Sequence, residues 1–183
     1  MKAYTILLIF TMFFINTTVI SNSVINYDIT SELLHNLSKE KVETELNTFL
    51  NEIGNFESGN DYTKVNELGY MGRYQFGLST IQTLGYRNLT KKQFINNPSL
   101  QDTMMIKNLQ YNKRRLTRYI KNWNGKTRFG IKITESGMLA AAHLAGQGNV
   151  KKFLRNGHNP SDINGTKLSN YLSIFSGYDL NLE

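Results

Sequence analysis

The sequence predicts a mainly α single domain. Three features predict it: apolar residues that recur at helical spacing, capping residues ahead of several of these stretches, and short breaks rich in Gly and Asn between them. The 183 residues suffice for one domain, and 40% apolar residues suffice for its core. The absence of Cys excludes disulfides, zinc–thiolate sites and Cys nucleophiles.

Residues 1–22 predict a targeting segment that precedes the fold. Lys2 gives a positive start, an apolar run covers residues 4–20, and small residues follow at 21–23. This pattern is typical of a secretory signal peptide. An uncleaved N-terminal anchor is the alternative, because the run is near the lower length limit for crossing a bilayer. Both predict an exported domain over residues 24–183, either in the periplasm or secreted.

The charge balance predicts an anionic partner or a basic solvated surface. The chain has 21 Lys and Arg against 14 Asp and Glu, a formal net charge of +7. Cell-wall polymers, anionic lipid surfaces and nucleic acid all carry the opposite charge. Export makes nucleic acid the least favoured of the three, so no nucleic-acid partner is expected. Charge alone does not distinguish a binding face from ordinary solvation.

Hydrophobic periodicity places the helices. A helix is predicted over residues 38–56, with Ser38 as its N-cap, followed by a loop or short hairpin over 58–77. Further helices are predicted over residues 78–84, from 90 onwards, and over 100–123, 135–145, 149–155 and 167–175. Expected start signals are a Thr90–Gln93 capping box and N-caps at Ser99 and Thr134. Alternating apolar residues over 129–133 predict a short strand.

Glu57 is a carboxylic acid in phase with a buried stripe. It follows Ile53 by four positions and Leu50 by seven, and Gly59 ends the helix just after it. Burial and the negative end of the helix dipole both disfavour a charged carboxylate there, so both raise its pKa. A carboxyl group that stays protonated near neutral pH can act as a general acid. If the helix frays early, Glu57 points to solvent instead.

The segment after Glu57 has the composition of a sugar-binding loop. Gly69 and Gly72 allow close backbone approach, and Gln75 adds an amide. Aromatic residues are interleaved with them, namely Tyr62, Tyr70, Tyr74 and Phe76. Aromatic faces and amides together suit sugar rings, which have apolar faces and hydrogen-bonding hydroxyls. Core packing is the alternative role for each aromatic side chain.

Two blocks resemble the soluble lytic transglycosylases. Glu57-Ser58 followed by residues 69–76 (Gly-Tyr-Met-Gly-Arg-Tyr-Gln-Phe) is similar to that family's Glu-Ser pair and its Gly-Ala-x-Gly-Leu-Met-Gln block, with the same spacing. Residues 141–150 (Ala-Ala-His-Leu-Ala-Gly-Gln-Gly-Asn-Val) are similar to its Ala-Ala-Tyr-Asn-Ala-Gly-Pro-Gly-x-Val block. The resemblance covers roughly residues 40–178 and implies a lysozyme-like α domain, with a short loop or hairpin beside a cleft for glycan strands.

The departures from the family pattern concern the groups around the acid. Arg73 and Tyr74 stand where the family has Leu-Met, and His143 and Leu144 stand where it has Tyr-Asn. Asn66 stands where the family usually has Ser. Leu144 cannot make the contact of an Asn, whereas His143 is either a substrate contact or a satisfied buried histidine.

The resemblance implies cleavage of the β-1,4 bond between N-acetylmuramic acid and N-acetylglucosamine in peptidoglycan. Glu57 would be the single acid and base, forming 1,6-anhydro ends, an exception to the two-carboxylate scheme. The resemblance places the glycan strand against Asn66, Gly72, Tyr74, Gln75 and His143. It implies a monomer without metal or cofactor, and a secretion or cell-envelope machine is a possible partner. The three His show no ligand spacing.

Two other functions stay open at this point. A hydrolase of the same fold would need a second carboxylate to activate water, and Asp61 and Glu67 are the nearby candidates, although both suit turn and capping roles. The second open function is that of a wall-binding assembly component, which kept the cleft but lost catalytic activity. The changes at residues 73–74 and 143–144 favour it, and the retained Glu57 disfavours it.

Overall fold

The computed structural model describes residues 2–162 and 165–182, with side-chain positions from residue 30 onwards. The fold is mainly helical, with one small two-stranded sheet, which confirms the predicted class at that level. In chain order the elements are α1 (Lys2–Ser58), α2 (Leu78–Thr83), α3 (Lys91–Ile95), α4 (Pro98–Trp123), β1 (Thr127–Arg128), β2 (Ile131–Lys132), α5 (Glu135–Ala145), α6 (Gln147–Asn156) and α7 (Leu168–Ile174).

The chain divides into two units, Met1–Glu43 and Thr44–Glu183. In the first unit, α1 continues through Ser38, whose Oγ donates to the carbonyl oxygen of His35 at 2.7 Å. The expected helix start at Ser38 is therefore wrong. Residues 24–37 contain neither Gly nor Pro, so nothing in that stretch stops the helix.

The predicted leader over residues 1–22 lies outside the residues whose side chains are described. The signal peptide and its alternative, an anchor, both stay predictions. Among the described residues, no helix has a stretch that is both long and apolar enough to cross a membrane.

The second unit is built around α5. Every residue from Ser136 to Ala142 is buried, and α5 packs against α4, α6 and α7. The last turns of α1 close the same core through Phe49 and Ile53, both fully buried. Helix α5 carries small residues along most of its length, which lets three helices approach it closely.

Side-chain caps mark the starts of three helices in this unit, α3, α4 and α5. Thr90 and Gln93 form the expected capping box, and the Oγ1 of Thr134 accepts from the backbone NH of Gly137 at 3.2 Å. The expected N-cap at Ser99 is wrong. The helix begins earlier because Pro98 occupies its first turn, and the Oδ1 of Asn97 accepts from the Leu100 NH at 3.0 Å.

The strand predicted over residues 129–133 is instead a hairpin. Strands β1 and β2 pair in antiparallel register, Thr127 with Lys132 and Arg128 with Ile131. Phe129 and Gly130 form the two-residue turn, with φ of 48° and 78°. Positive φ at both positions is the geometry of a tight type I′ turn, whose twist matches that of the strands.

Candidate functional site around Glu57

Glu57 lies in the last turn of α1 and is half-buried. Burial raises the pKa of its carboxyl group from 4.5 to about 7. The negative charge of Asp162 raises this pKa further, and the positive charge of Lys64 partly opposes the rise. The carboxyl group is therefore divided between its neutral and charged forms near neutral pH, as an acid that must give and recover a proton requires.

The end of α1 is closed by two left-handed residues. Gly59 and Asn60 have φ of 72° and 63°, and the Asn60 NH donates to the Gly54 carbonyl oxygen at 3.0 Å, six residues back. The Gly59 NH also donates to the Asn55 carbonyl oxygen at 2.9 Å, as in an αL C-cap, so both bonds satisfy carbonyl groups at the helix end. It turns the chain sharply after Ser58, so the loop over residues 59–77 begins directly beside Glu57.

Ser58 ties that loop to the helix end. Its Oγ donates to the carbonyl oxygen of Arg73 at 2.8 Å and accepts from the NH of Asp61 at 2.9 Å. The Ser58 side chain is buried, so its bond to Arg73 forms away from solvent, while the bond from Asp61 is partly exposed. The Ser beside Glu57 therefore holds the two ends of the loop together.

Asn66 and Gln75 shape the loop from within. The Oδ1 of Asn66 accepts from the NH groups of Leu68 and Tyr70, each at 3.0 Å, forming an Asx turn. The Nε2 of Gln75 donates to the Gly72 carbonyl oxygen at 2.8 Å, and Gln75 itself has a φ of 47°. Asn66 and Gln75, which were expected to bind sugar, thus already form hydrogen bonds within the loop.

Arg73 and Tyr74 are buried and belong to a polar network centred on the half-buried Asp102. Arg73 Nη1 donates to Asp102 Oδ1 at 3.1 Å, and the Tyr74 hydroxyl donates to the same oxygen at 2.7 Å. The Tyr62 hydroxyl donates to Asp102 Oδ2 at 2.9 Å. Arg73 also bonds Asn60 through Nε at 2.8 Å.

This network explains why Arg-Tyr can stand where the resembling family has Leu-Met. A buried guanidinium is tolerated only when paired and hydrogen-bonded, and Asp102 supplies the pair. Tyr74 has no exposed surface, and its pKa is raised by burial and by Asp102. The structure therefore uses the Tyr74 side chain inside the protein, not at the surface where the resemblance implied a sugar contact.

His143 connects the two resembling blocks. Asn108 Nδ2 donates to His143 Nδ1 at 2.7 Å, and His143 Nε2 donates to the Tyr74 carbonyl oxygen at 2.9 Å. A carbonyl only accepts, so Nε2 carries the proton and Nδ1 accepts. Burial lowers the pKa of the imidazole to about 4, which keeps it neutral. Both ring nitrogens of the half-buried His143 are engaged, and its bond to the Tyr74 carbonyl oxygen positions that backbone.

The Cα of Gly72 faces another side chain and not an open cleft. Its φ is 74°, and a Cβ there would lie 2.1 Å from the Oε1 of Gln101. That amide is fully buried and accepts from the Arg73 NH at 2.9 Å while its Nε2 donates to the Tyr62 carbonyl oxygen at 2.9 Å. The missing side chain of Gly72 thus makes room for Gln101, where the resemblance implied a ligand.

We expect Gly72→Ala to destabilise the domain by about 2–4 kcal/mol, because it combines left-handed strain with displacement of a buried amide. Gly69→Ala is the matched control: its φ is 81°, but a Cβ there has nothing within 4 Å. The control should cost only about 1–2 kcal/mol of conformational strain. Urea unfolding of both variants measures the difference, and equal losses would show that Gln101 adjusts freely.

Asp162 is the charged neighbour of Glu57 that sequence reasoning missed. Its carboxylate accepts from the Tyr171 hydroxyl and, through Oδ1, from the Thr166 NH at 2.8 Å. The pKa of Tyr171 is raised by burial, by Asp162 and also by Glu57, so the three groups share one neighbourhood. Asp162 and Tyr171 line a pocket of about 120 Å³ with residues of α5 and α6. No local motif marks Asp162, which follows Glu57 by 105 positions.

The carboxylates expected as alternatives have other roles or positions. Asp61 is exposed, and its Oδ1 accepts from the NH and the Oγ1 of Thr63, each at 2.7 Å. These bonds lower the pKa of Asp61 and are those of a turn. Glu67 is exposed on the same loop. Within the described residues, no group of three His, Cys, Asp or Glu could hold a metal ion.

Comparisons with protein-family models, with curated proteins and with solved structures find no match to this chain.

Proposed function

We propose that the protein is a peptidoglycan lytic transglycosylase with Glu57 as its single acid and base. The observation that carries the proposal is the half-buried carboxyl group of Glu57, whose pKa is raised to about 7 at the end of α1. A carboxylic acid in this state can protonate a poor leaving group near neutral pH. The resemblance of the two blocks supplies the substrate class.

In the proposed reaction, Glu57 gives its proton to the glycosidic oxygen as the bond from the muramic C1 to that oxygen breaks. The carboxylate then takes the proton of the muramic C6 hydroxyl as the C1–O6 bond forms. The products are an anhydro end and a free hydroxyl on the leaving sugar. Glu57 is protonated again, so no water and no cofactor is consumed.

The surrounding residues would position the acid and the strand. Ser58 and the Asp102 network hold the loop over residues 59–77 against the end of α1. His143 fixes the backbone at Tyr74, one residue before Gln75. Asn66 and Gln75 remain candidate contacts for sugar hydroxyls through whichever polar atoms their loop bonds leave open.

A hydrolase is the second candidate, and Asp162 is the observation that favours it. Its carboxylate is held by Tyr171 and Thr166 and is near enough to Glu57 to raise the pKa of that acid. A second carboxylate facing the substrate could activate a water molecule. Asp162 thus replaces Asp61 and Glu67 as the candidate base for that reaction.

Product analysis tests both. The full chain and its Glu57→Gln variant are incubated with purified peptidoglycan, and the released fragments are read by mass spectrometry. Anhydromuramyl ends from the wild type alone are expected. Reducing ends that depend on Asp162 would make the protein a hydrolase. Binding to the wall without release of fragments by either chain would make it a binding component and overturn the proposal.

The exported location and the glycan partner are part of the same proposal. An enzyme acting on peptidoglycan must leave the cytoplasm, which the pattern over residues 1–22 provides for. A secretion or cell-envelope machine that needs local opening of the wall is a compatible partner.

A further inference from the structure

The loop after α1 contains four aromatic side chains, and the structure leaves one of them exposed. Tyr74 and Phe76 are buried in the core, and Tyr62 is half-buried with its hydroxyl bonded to a carboxylate. The Tyr70 side chain is 44% exposed. In the resembling family's block this position is Ala, so the exposed ring is a feature of this chain.

The pairing of the loop with itself turns the Tyr70 side chain outward. Met71 forms antiparallel bridges with Val65 and with Phe76, so three short segments of the loop lie side by side. The Met71 side chain is buried in the core, and successive side chains of an extended strand point to opposite faces. Tyr70 therefore belongs to the outer face of the loop.

Gly77 provides the seat for the Tyr70 ring. A Cβ at Gly77 would lie 3.0 Å from Tyr70 Cε1, so the ring packs closely against the glycine backbone. Among the described residues, the Tyr70 hydroxyl has no hydrogen-bond partner. The ring is thus held on one side, while its outer side and its hydroxyl are available to a ligand.

Tyr70 lines a shallow groove together with two exposed leucines. The groove has a volume of about 460 Å³, and its lining residues are Leu68, Gly69, Tyr70, Gly77, Leu78 and Ser79. Both leucines are more than half exposed, and none of these six residues is charged. An uncharged groove with an aromatic ring, apolar side chains and a few polar groups suits a neutral ring that has one apolar face and several hydroxyls.

The other end of the same loop lies beside Glu57. The charge of Lys64 lowers the pKa of Glu57, against the effect of burial, so Lys64 is near the acid. The Lys64 carbonyl oxygen accepts from the Gly72 NH at 2.7 Å, and the Asn66 NH donates to the Tyr70 carbonyl oxygen at 3.1 Å. A glycan strand bound at Glu57 would therefore reach the groove within the length of this short hairpin.

We propose that Tyr70, Leu68 and Leu78 form an outer sugar platform, on which a neutral pyranose ring of the glycan strand stacks. The proposal rests on the function proposed for Glu57, because that function supplies the glycan substrate. The Tyr70 ring would contact the C–H face of the sugar, and its hydroxyl would bond a sugar hydroxyl. The platform would add affinity for longer strands at a distance from the bond that breaks.

Binding is measured on the full chain carrying Glu57→Gln, which cannot turn over its ligand, by calorimetric titration with a peptidoglycan octasaccharide freed of stem peptides. Adding Tyr70→Ala should weaken binding about tenfold, as for the loss of a well-packed aromatic contact. Tyr70→Phe keeps the ring and should stay within about threefold. Phe129→Asn is the matched control: it removes a similarly exposed ring from the turn between β1 and β2, where Asn-Gly is favoured, and should change the affinity less than about twofold.

The active chain gives a second readout. Because the platform contacts sugar away from the reacting bond, Tyr70→Ala should raise KM for the peptide-free glycan about tenfold and leave kcat within about twofold. A substitution that merely loosened the loop beside Glu57 would lower kcat, and a fall in kcat without a rise in KM would contradict the platform.

The outcomes separate this proposal from the one for Glu57. Unchanged affinity in Tyr70→Ala, or equal losses in Tyr70→Ala and Phe129→Asn, would overturn the platform even if the wild type releases glycan fragments. Tyr70-dependent binding to whole peptidoglycan but not to the peptide-free octasaccharide would assign the groove to a stem peptide instead. Tyr70-dependent binding of the octasaccharide without any release of fragments by the wild type would support the platform and overturn the catalytic role of Glu57.

Discussion

Glu57→Gln is expected to abolish the release of glycan fragments while leaving the fold intact. Gln has nearly the same volume as Glu but carries no transferable proton. General acid–base catalysis is typically worth about 10²–10⁴ in rate, so the variant should retain about one per cent of the activity or less. The measurement is the initial rate of fragment release from purified peptidoglycan.

The matched control is Glu67→Gln. Glu67 is exposed on the loop that follows Glu57, so the control removes the same charge from the same region without touching the buried acid. Its activity should stay within about twofold of the wild type, as for a surface substitution. An equal loss of activity in the two variants would show that the activity depends on the negative charge of this region. It would contradict the assignment of Glu57 as the acid.

The second large effect is a pH dependence shared by activity and stability. The pKa of Glu57 is raised from 4.5 to about 7 in the folded protein, so the folded state holds a proton that the unfolded state loses between these values. Stability therefore falls as pH rises from about 4.5 through about 7, by up to about 3 kcal/mol if the whole shift is expressed. Activity should fall as pH rises through about 7, since the acid must be protonated.

Asp162→Asn tests the cause of this dependence. Removing the negative charge near Glu57 should lower the pKa of that acid, so the upper limb of the pH–rate profile should move to lower pH. For a transglycosylase the variant keeps measurable activity with the same anhydro products at lower pH. For a hydrolase with Asp162 as its base, activity is lost at every pH, so the profile separates the two candidates.

The Glu57→Gln variant is the control for stability. It has no carboxyl group at this site, so the fall in stability between about pH 4.5 and 7 should largely disappear when unfolding by urea is followed across this range. An unchanged pH dependence would assign the effect to another group and would contradict the buried state of Glu57.

The sequence by itself determined the features that depend on neighbouring residues. The capping box at Thr90 and the N-cap at Thr134 were predictable, because a cap bonds within three positions of itself. The half-buried position of Glu57 was predictable because helical phase carries over from Ile53 to the next turn. The start of α1 was not predictable from Ser38, because no helix-breaking residue precedes Ser38 and the helix continues through it.

Only the tertiary structure decided what surrounds the acid. By composition, Tyr74 and Gly72 suited a sugar contact. In the structure the Tyr74 hydroxyl donates to Asp102 of α4, and the space beside the Gly72 Cα is filled by Gln101 of α4. The charge of Asp162, in the segment before α7, raises the pKa of Glu57. These partners come together only when distant segments of the chain pack. The free energy of ionising a buried group depends on which partners lie beside it. The local sequence thus identifies Glu57 as the candidate acid, whereas the tertiary structure determines its pKa and its neighbours.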